Sequence, residues 1–110
     1  MDSPDLAAAV YALEAHRSDN LAVTLADLFA EDPKRFDDFH IELDDIFFDF
    51  SKQRVGRQTL ALLIDLARAA KVEERRAALF AGDIVNPTEG RPALHMALRN
   101  LKGTPILAQG

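Results

Sequence analysis

The sequence predicts a mostly α-helical chain of about five helices with one small β-hairpin, near residues 39–43 and 46–51. Three observations lead there. Apolar residues recur at intervals of three and four behind recognisable helix caps over most of the 110 residues. One stretch alone, "FHIELDDIFFDF", switches to a period of two. Residues 57–70, "RQTLALLIDLARAA", are apolar around so much of a helix that they require neighbours on several sides.

The elements follow in order. Ser3 is placed to cap the first helix, with Pro4 at its first position and Asp5 at the positive end of its dipole. Leu6, Ala9, Val10 and Leu13 give that helix one apolar face, and the polar "HRSDN" is expected to end it. A second helix starts after Thr24, with Asp27 completing a capping box and Val23 and Leu28 forming a hydrophobic staple. Asp32-Pro33 reads as a new cap and a single turn through Phe36. In the hairpin, a turn at Asp44-Asp45 pairs Leu43 with Ile46, Ile41 with Phe48 and Phe39 with Phe50 on one face, all apolar. The other face pairs His40 with Asp49 and Glu42 with Phe47. The turn lacks glycine, but aspartate tolerates positive φ better than most residues. Two strands alone are marginal in water, so the ribbon is expected to lie on helices. After the apolar helix at 57–70 comes "EERRAALFAG", anchored by Leu79 and Phe80 and stopped by Gly82. Asn86-Pro87 and Gly90 mark a turn, and Pro92 predicts a last helix beginning near Gly90 or Arg91. No internal repeat or low-complexity linker interrupts the chain.

Composition narrows the function. Hydrophobic residues make up 48% and charged residues 28%, enough for the core of one small domain. No apolar run reaches the roughly 18 residues a membrane span needs. The N-terminus has no basic flank, which argues against a secretory signal. With no cysteine there is no disulfide or thiolate chemistry, and a cytoplasmic protein fits. Residues 1–50 carry 13 acidic and 3 basic residues, a balance of −10. Residues 51–110 carry 5 acidic and 10 basic, a balance of +5. The basic half could face an anion such as a phosphorylated metabolite, or simply attract the acidic half. It lacks the dense basic stripe and interleaved aromatics of a nucleic-acid binder, so no nucleic-acid partner is expected.

The candidate site lies in the last predicted helix. At helical spacing Arg91, His95 and Arg99 fall along one side, with Arg91 near the N-terminal end where anions are favoured. The structural alternative is that both arginines pair with carboxylates while His95 packs with one ring nitrogen hydrogen-bonded. His16 suits the end of the first helix, and His40 reads as a cross-strand partner of Asp49 rather than part of a dyad. The three histidines lack metal-ligand spacing, and Asp44, Asp45 and Asp49 lack the calcium-loop pattern. They read as turn and surface.

Four stretches, "VTLADLFAEDPKRF", "FFDFSKQRV", "LFAGDIVNPTEGRPALHMALRN" and "TPIL", stand in the order found in one family. Through them the chain resembles the N-terminal part of glucose-6-phosphate isomerases (phosphoglucose isomerases). The third carries most of the likeness, in Asn86, Thr88, Glu89, Arg91, Leu94, His95, Ala97, Leu98, Arg99 and Asn100. Pro92, Ala93 and Phe50 depart from the family's usual Ala, Val and Tyr. The resemblance implies cytoplasmic, dimeric, metal-free and cofactor-free enzymes that interconvert glucose 6-phosphate and fructose 6-phosphate. It implies ring opening by a histidine and a lysine, proton transfer by a glutamate, and an arginine against the developing charge. All of these, with the phosphate-binding loops, belong to two sugar-phosphate isomerase domains and a C-terminal tail outside this chain. His95 is then expected to support the active-site region and Arg91 to act as a structural anchor, with no catalytic residue in the chain. An inactive fragment is expected, with bare apolar faces at residues 60–70 and 94–107, which self-associates or is partly disordered at its C-terminal tail and meets neither membrane nor nucleic acid. The sugar phosphate is then a ligand of the full-length enzyme alone. Two other readings remain open: a non-catalytic helical interaction module derived from the enzyme, or an isomerase assembled from separate chains.

Overall fold

The computed structural model describes residues 4–108. The elements run α1 (Pro4–Asp19), α2 (Leu25–Glu31), α3 (Arg35–Asp38), β1 (His40–Leu43), β2 (Ile46–Asp49), α4 (Arg57–Ala69) and α5 (Val72–Ala81), followed by a 3-10 helix over His95–Arg99. This is the mostly α chain with one hairpin that the sequence predicts. It divides into two compact units, Met1–Leu66 and Ala67–Gly110.

In the first unit, Leu6, Ala9, Leu13 and His16 form a half-buried stripe along α1, while Val10 is exposed. The helix continues through the polar residues expected to stop it. Ser18 Oγ donates to the Glu14 carbonyl at 3.1 Å, and Asn20 Nδ2 donates to the His16 carbonyl at 2.8 Å. These side chains finish the helix rather than break it. Ser3, its expected cap, lies outside the described residues.

The predicted capping box of α2 is present in both directions. Asp27 N–H donates to Thr24 Oγ1 at 3.1 Å, and Thr24 N–H donates to Asp27 Oδ2 at 2.9 Å. The Thr24 backbone N–H, and after it the hydroxyl, hold the Asp27 carboxyl below its ordinary range. The next turn starts later than expected. Asp32 N–H still bonds to the Leu28 carbonyl, so Asp32 closes α2 and α3 begins at Arg35.

The hairpin has the predicted register, His40 with Asp49, Ile41 with Phe48, Glu42 with Phe47 and Leu43 with Ile46. Asp44 takes the turn at φ +50°, which supplies the positive dihedral without glycine. Phe50 N–H donates to the Phe39 carbonyl at 3.0 Å, continuing the pairing one step past the strands. Only this base is covered. Phe39 is 1% exposed and meets Phe50 edge to face at 5.5 Å, whereas Ile41, Leu43, Ile46 and Phe48 face solvent. The expectation that the whole ribbon lies on helices therefore holds at its base and fails at its tip.

In α4, Leu60, Leu62 and Leu66 are half-buried, and Leu63 and Ile64 are exposed. In the second unit, α5 ends at Gly82 as predicted. Gly82 adopts φ +80°, its N–H reaching the Leu79 carbonyl at 3.2 Å while Asp83 N–H reaches the Ala78 carbonyl at 3.0 Å. That is the Schellman pattern, and it needs a residue indifferent to positive φ. A Cβ on Gly82 would also run into the Leu107 carbonyl oxygen, so the glycine lets the C-terminal strand of backbone lie close.

The last predicted helix is the main correction. Residues 91–94 are not helical, and only His95–Arg99 turn, as a 3-10 helix. Arg91 forms an isolated antiparallel bridge with Asn86, and the following Pro92 favours the same extended backbone at that position. What remains is too short to sustain an α-helix unaided, and Leu98, which would anchor it, is 87% exposed.

Candidate functional site

Three hollows can be built up from the sequence. The one holding the predicted site residues lies in the second unit. The residue before Pro87 is driven towards extended backbone, and Asn86 uses that position twice. Its Oδ1 accepts from Thr88 N–H at 3.1 Å and its carbonyl from Gly90 N–H at 3.0 Å. Gly90, at φ +62°, returns the chain to the bridge at Arg91. The loop places Glu89 and Arg91 on a hollow of about 480 Å³ that Leu94, His95 and Leu98 complete. Further on, Asn100 Nδ2 ties to the Thr104 carbonyl at 2.7 Å and its hydroxyl at 3.0 Å.

Arg91 and His95 therefore share one hollow, although no helix carries them both. The predicted row of Arg91, His95 and Arg99 does not form. Arg91 precedes the helix, and at three residues per turn His95 and Arg99 point about 120° apart. With Glu89 on its wall, the hollow offers mixed charge rather than the purely cationic row expected of an anion site.

The other histidines have structural partners. His16 Nε2 lies 2.7 Å from Thr59 Oγ1, and Asn20 Nδ2 lies 3.3 Å from His16 Nδ1. An amide nitrogen only donates, so the network assigns the ring proton to Nε2 and makes Nδ1 the acceptor. Thr59 Oγ1 also accepts from Gly56 N–H at 3.0 Å, so His16 links α1 to the start of α4. His40 sits opposite Asp49 in register, but its ring stacks on Phe47 at 4.7 Å and its Nδ1 meets the Phe36 carbonyl at 3.1 Å. Asp49 turns instead to Ser51, whose amide N–H donates to it at 2.8 Å, and to Lys52 at 3.4 Å. The buried Ser51 hydroxyl closes no well-formed hydrogen bond, yet its proximity, followed by the amide, holds the Asp49 carboxyl below its ordinary range. Among the described residues no group of three or more His, Cys, Asp or Glu could hold a metal ion. Nor is any helix among them long and apolar enough to cross a membrane.

The residue that sequence reasoning missed is Arg35. It is 1% exposed. Its Nε donates to the Ser51 carbonyl at 2.6 Å, Nη1 to Val55 at 2.7 Å and Nη2 to Gln53 at 2.6 Å. The guanidinium also lies over Phe39 at 4.5 Å and Phe29 at 5.5 Å. Five fixed donors in one plane suit this task, which a lysine could not perform. Two neighbouring arginines extend the arrangement. Arg54 Nη2 donates to the Val23 carbonyl at 2.7 Å, and Arg57 bonds Asp32 at 2.7 Å and Asp38 at 2.6 Å. The Asp38 carboxylate first, then Asp32, raises the Arg57 pKa. A hollow of about 430 Å³ beside Arg35, Phe39 and Arg57 has its cations already engaged. So does much of a third, of about 580 Å³, which His16, Arg54 and Thr59 help to line.

Arg35 joins two of the stretches that carry the family resemblance, "VTLADLFAEDPKRF" and "FFDFSKQRV". The phosphoglucose isomerase profile matches residues 49–110, more than half of the chain, which therefore belongs to that family. Among individual relatives, the glucose-6-phosphate isomerase of Beijerinckia indica is 58% identical over 110 residues, which are 100% of this chain and 20% of the relative. That of Methylocella silvestris is 57% identical over the same span and shares. That of Brucella anthropi is 44% identical over 109 residues, 99% of this chain and 20% of the relative. The chain thus spans about a fifth of the length of these curated relatives.

Proposed function

We propose that these residues are the N-terminal portion of a glucose-6-phosphate isomerase, which interconverts glucose 6-phosphate and fructose 6-phosphate in the cytoplasm. The observation that carries this reading is identity of 58% across the full 110 residues to an enzyme of that name. The chain alone is inactive. Isomerisation needs a base that reaches the C1 and C2 protons and groups that hold the phosphate, in one geometry. The hollow at Arg91 and His95 is lined by one imidazole, one guanidinium and the Glu89 carboxylate, which is too few groups to open the ring, move the proton and hold the phosphate together. In the whole enzyme His95 supports the active-site region and Arg91 anchors the loop at 86–91.

A chimera tests the proposal. These 110 residues replace the matching segment of the Beijerinckia indica enzyme, and fructose 6-phosphate turnover is measured for the chimera and for the isolated chain. Turnover by the chimera alone is expected. A folded but inactive chimera, or turnover by the isolated chain, would overturn it.

A further inference from the structure

We infer that the bare face of the hairpin is a docking surface for the remaining four-fifths of the isomerase chain, resting on the family reading above. The face is continuous with the core. Phe39 and Phe50 begin it at the base, and Ile41, Phe48, Leu43 and Ile46 carry it to the tip. Exposure changes abruptly along this one face, from 1% at Phe39 to 59% at Ile41 and 66% at Ile46.

A hairpin gains little folding stability from four large apolar side chains left mostly in water. Such a contiguous patch marks an interaction site. The apolar pattern therefore fits a surface that covers it.

The occupant follows from length and charge. The relatives have about four times as many residues again as this chain, enough polypeptide to cover a face of this size. Asp37, Glu42, Asp44 and Asp45 lie on or beside the hairpin, in addition to Asp38 and Asp49, which already meet Arg57 and Lys52. A second hairpin placed against it would set like charges together, which is destabilising. The covering surface is thus apolar at its centre with basic side chains at its rim.

The test compares one double substitution in two contexts. Ile41→Thr with Phe48→Thr keeps β-forming side chains and removes most of the apolar face. In the isolated chain it is expected to change the folding equilibrium constant by less than about threefold, because both side chains are already 59% exposed. In the chimera with the Beijerinckia indica enzyme it is expected to lower that constant about 100-fold or more. Amide exchange at residues 41–48 is expected to be far slower in the unsubstituted chimera than in the isolated chain.

The possible results separate. An active chimera whose hairpin exchanges as fast as the isolated chain, and tolerates the substitution equally well, overturns the docking surface while leaving the family function intact. An inactive, folded chimera overturns the functional reading instead. A concentration-dependent dimer of the isolated chain, abolished by the double substitution, assigns the face to a second copy and overturns this inference.

Discussion

Two irregular segments, 50–56 and 83–94, are held in opposite ways. The first is tied by side chains that reach across the sequence. Arg35 donates to three of its carbonyls from 16 to 20 positions away, and Arg54 reaches back 31 positions to Val23. The second is tied to itself, through Asn86 to Thr88 and Gly90 and through the Schellman cap at Gly82. A segment held by distant partners is determined within its own unit. One held by neighbours adopts whatever its turns dictate, and its apolar side chains stay partly open, as Ile84 and Leu94 do at 43% and 37% exposure.

The largest expected effect would break the first arrangement. Arg35→Met leaves one buried and two part-buried carbonyls without their donor, at a cost of about 3 kcal/mol. Thermal unfolding followed by circular dichroism should show it, and Arg35→Lys should restore less than half, since an ammonium cannot reproduce the fork. An unchanged midpoint for Arg35→Met would remove the distinction between the segments.

Next come the glycines of the second segment. Gly82→Ala meets both a positive φ and the Leu107 carbonyl, and should cost about 2 kcal/mol. Gly90→Ala meets only the positive φ, with nothing within 4 Å, and should cost about 1 kcal/mol. Equal losses in chemical denaturation would show that the backbone near Leu107 adds nothing to the cap.

A smaller change sharpens the contrast from the local side. Pro92→Ala releases Arg91 from its extended bias, and helical chemical shifts at residues 92–99 should rise. Unaltered shifts would mean that missing tertiary contacts, rather than the proline, keep this segment out of an α-helix.

The smallest effect concerns pH at the α2 cap. Because the Asp27 carboxyl is held below its unfolded pKa, its contribution is complete above that unfolded value. It is lost as pH falls through the lower, folded value. Helical shifts in α2 should therefore decline on acidification below about pH 4, and Asp27→Ala should flatten that decline. Thr24→Ala should weaken the same helix by about 1 kcal/mol at neutral pH.

The parts legible in the sequence were those governed by near neighbours. The Thr24–Asp27 box, the hairpin register with Asp44 at its turn, and the stop at Gly82 each depend on residues a few positions apart. Arg35 was illegible because its acceptors are backbone carbonyls, which no residue type announces. The helix expected to begin near Gly90 or Arg91 failed for a related reason. Its apolar spacing was real, but Pro92 favours the extended backbone that Arg91 takes in its bridge to Asn86, and Leu98, which would anchor the helix, stays exposed. At the candidate site, Arg91 and His95 were found together, though by a bridge and a short 3-10 turn rather than by the shared helix that their spacing suggested.

The Arg35 fork also bears on the order of events during synthesis. Its last acceptor, Val55, follows it by only 20 residues. At about 5–20 residues per second, translation separates donor from acceptor by ~1–4 s. The clamp can thus close soon after Val55 leaves the ribosome, while later residues are still being added. The ribbon at 40–49 would then form on a base already set, with its tip still open to water.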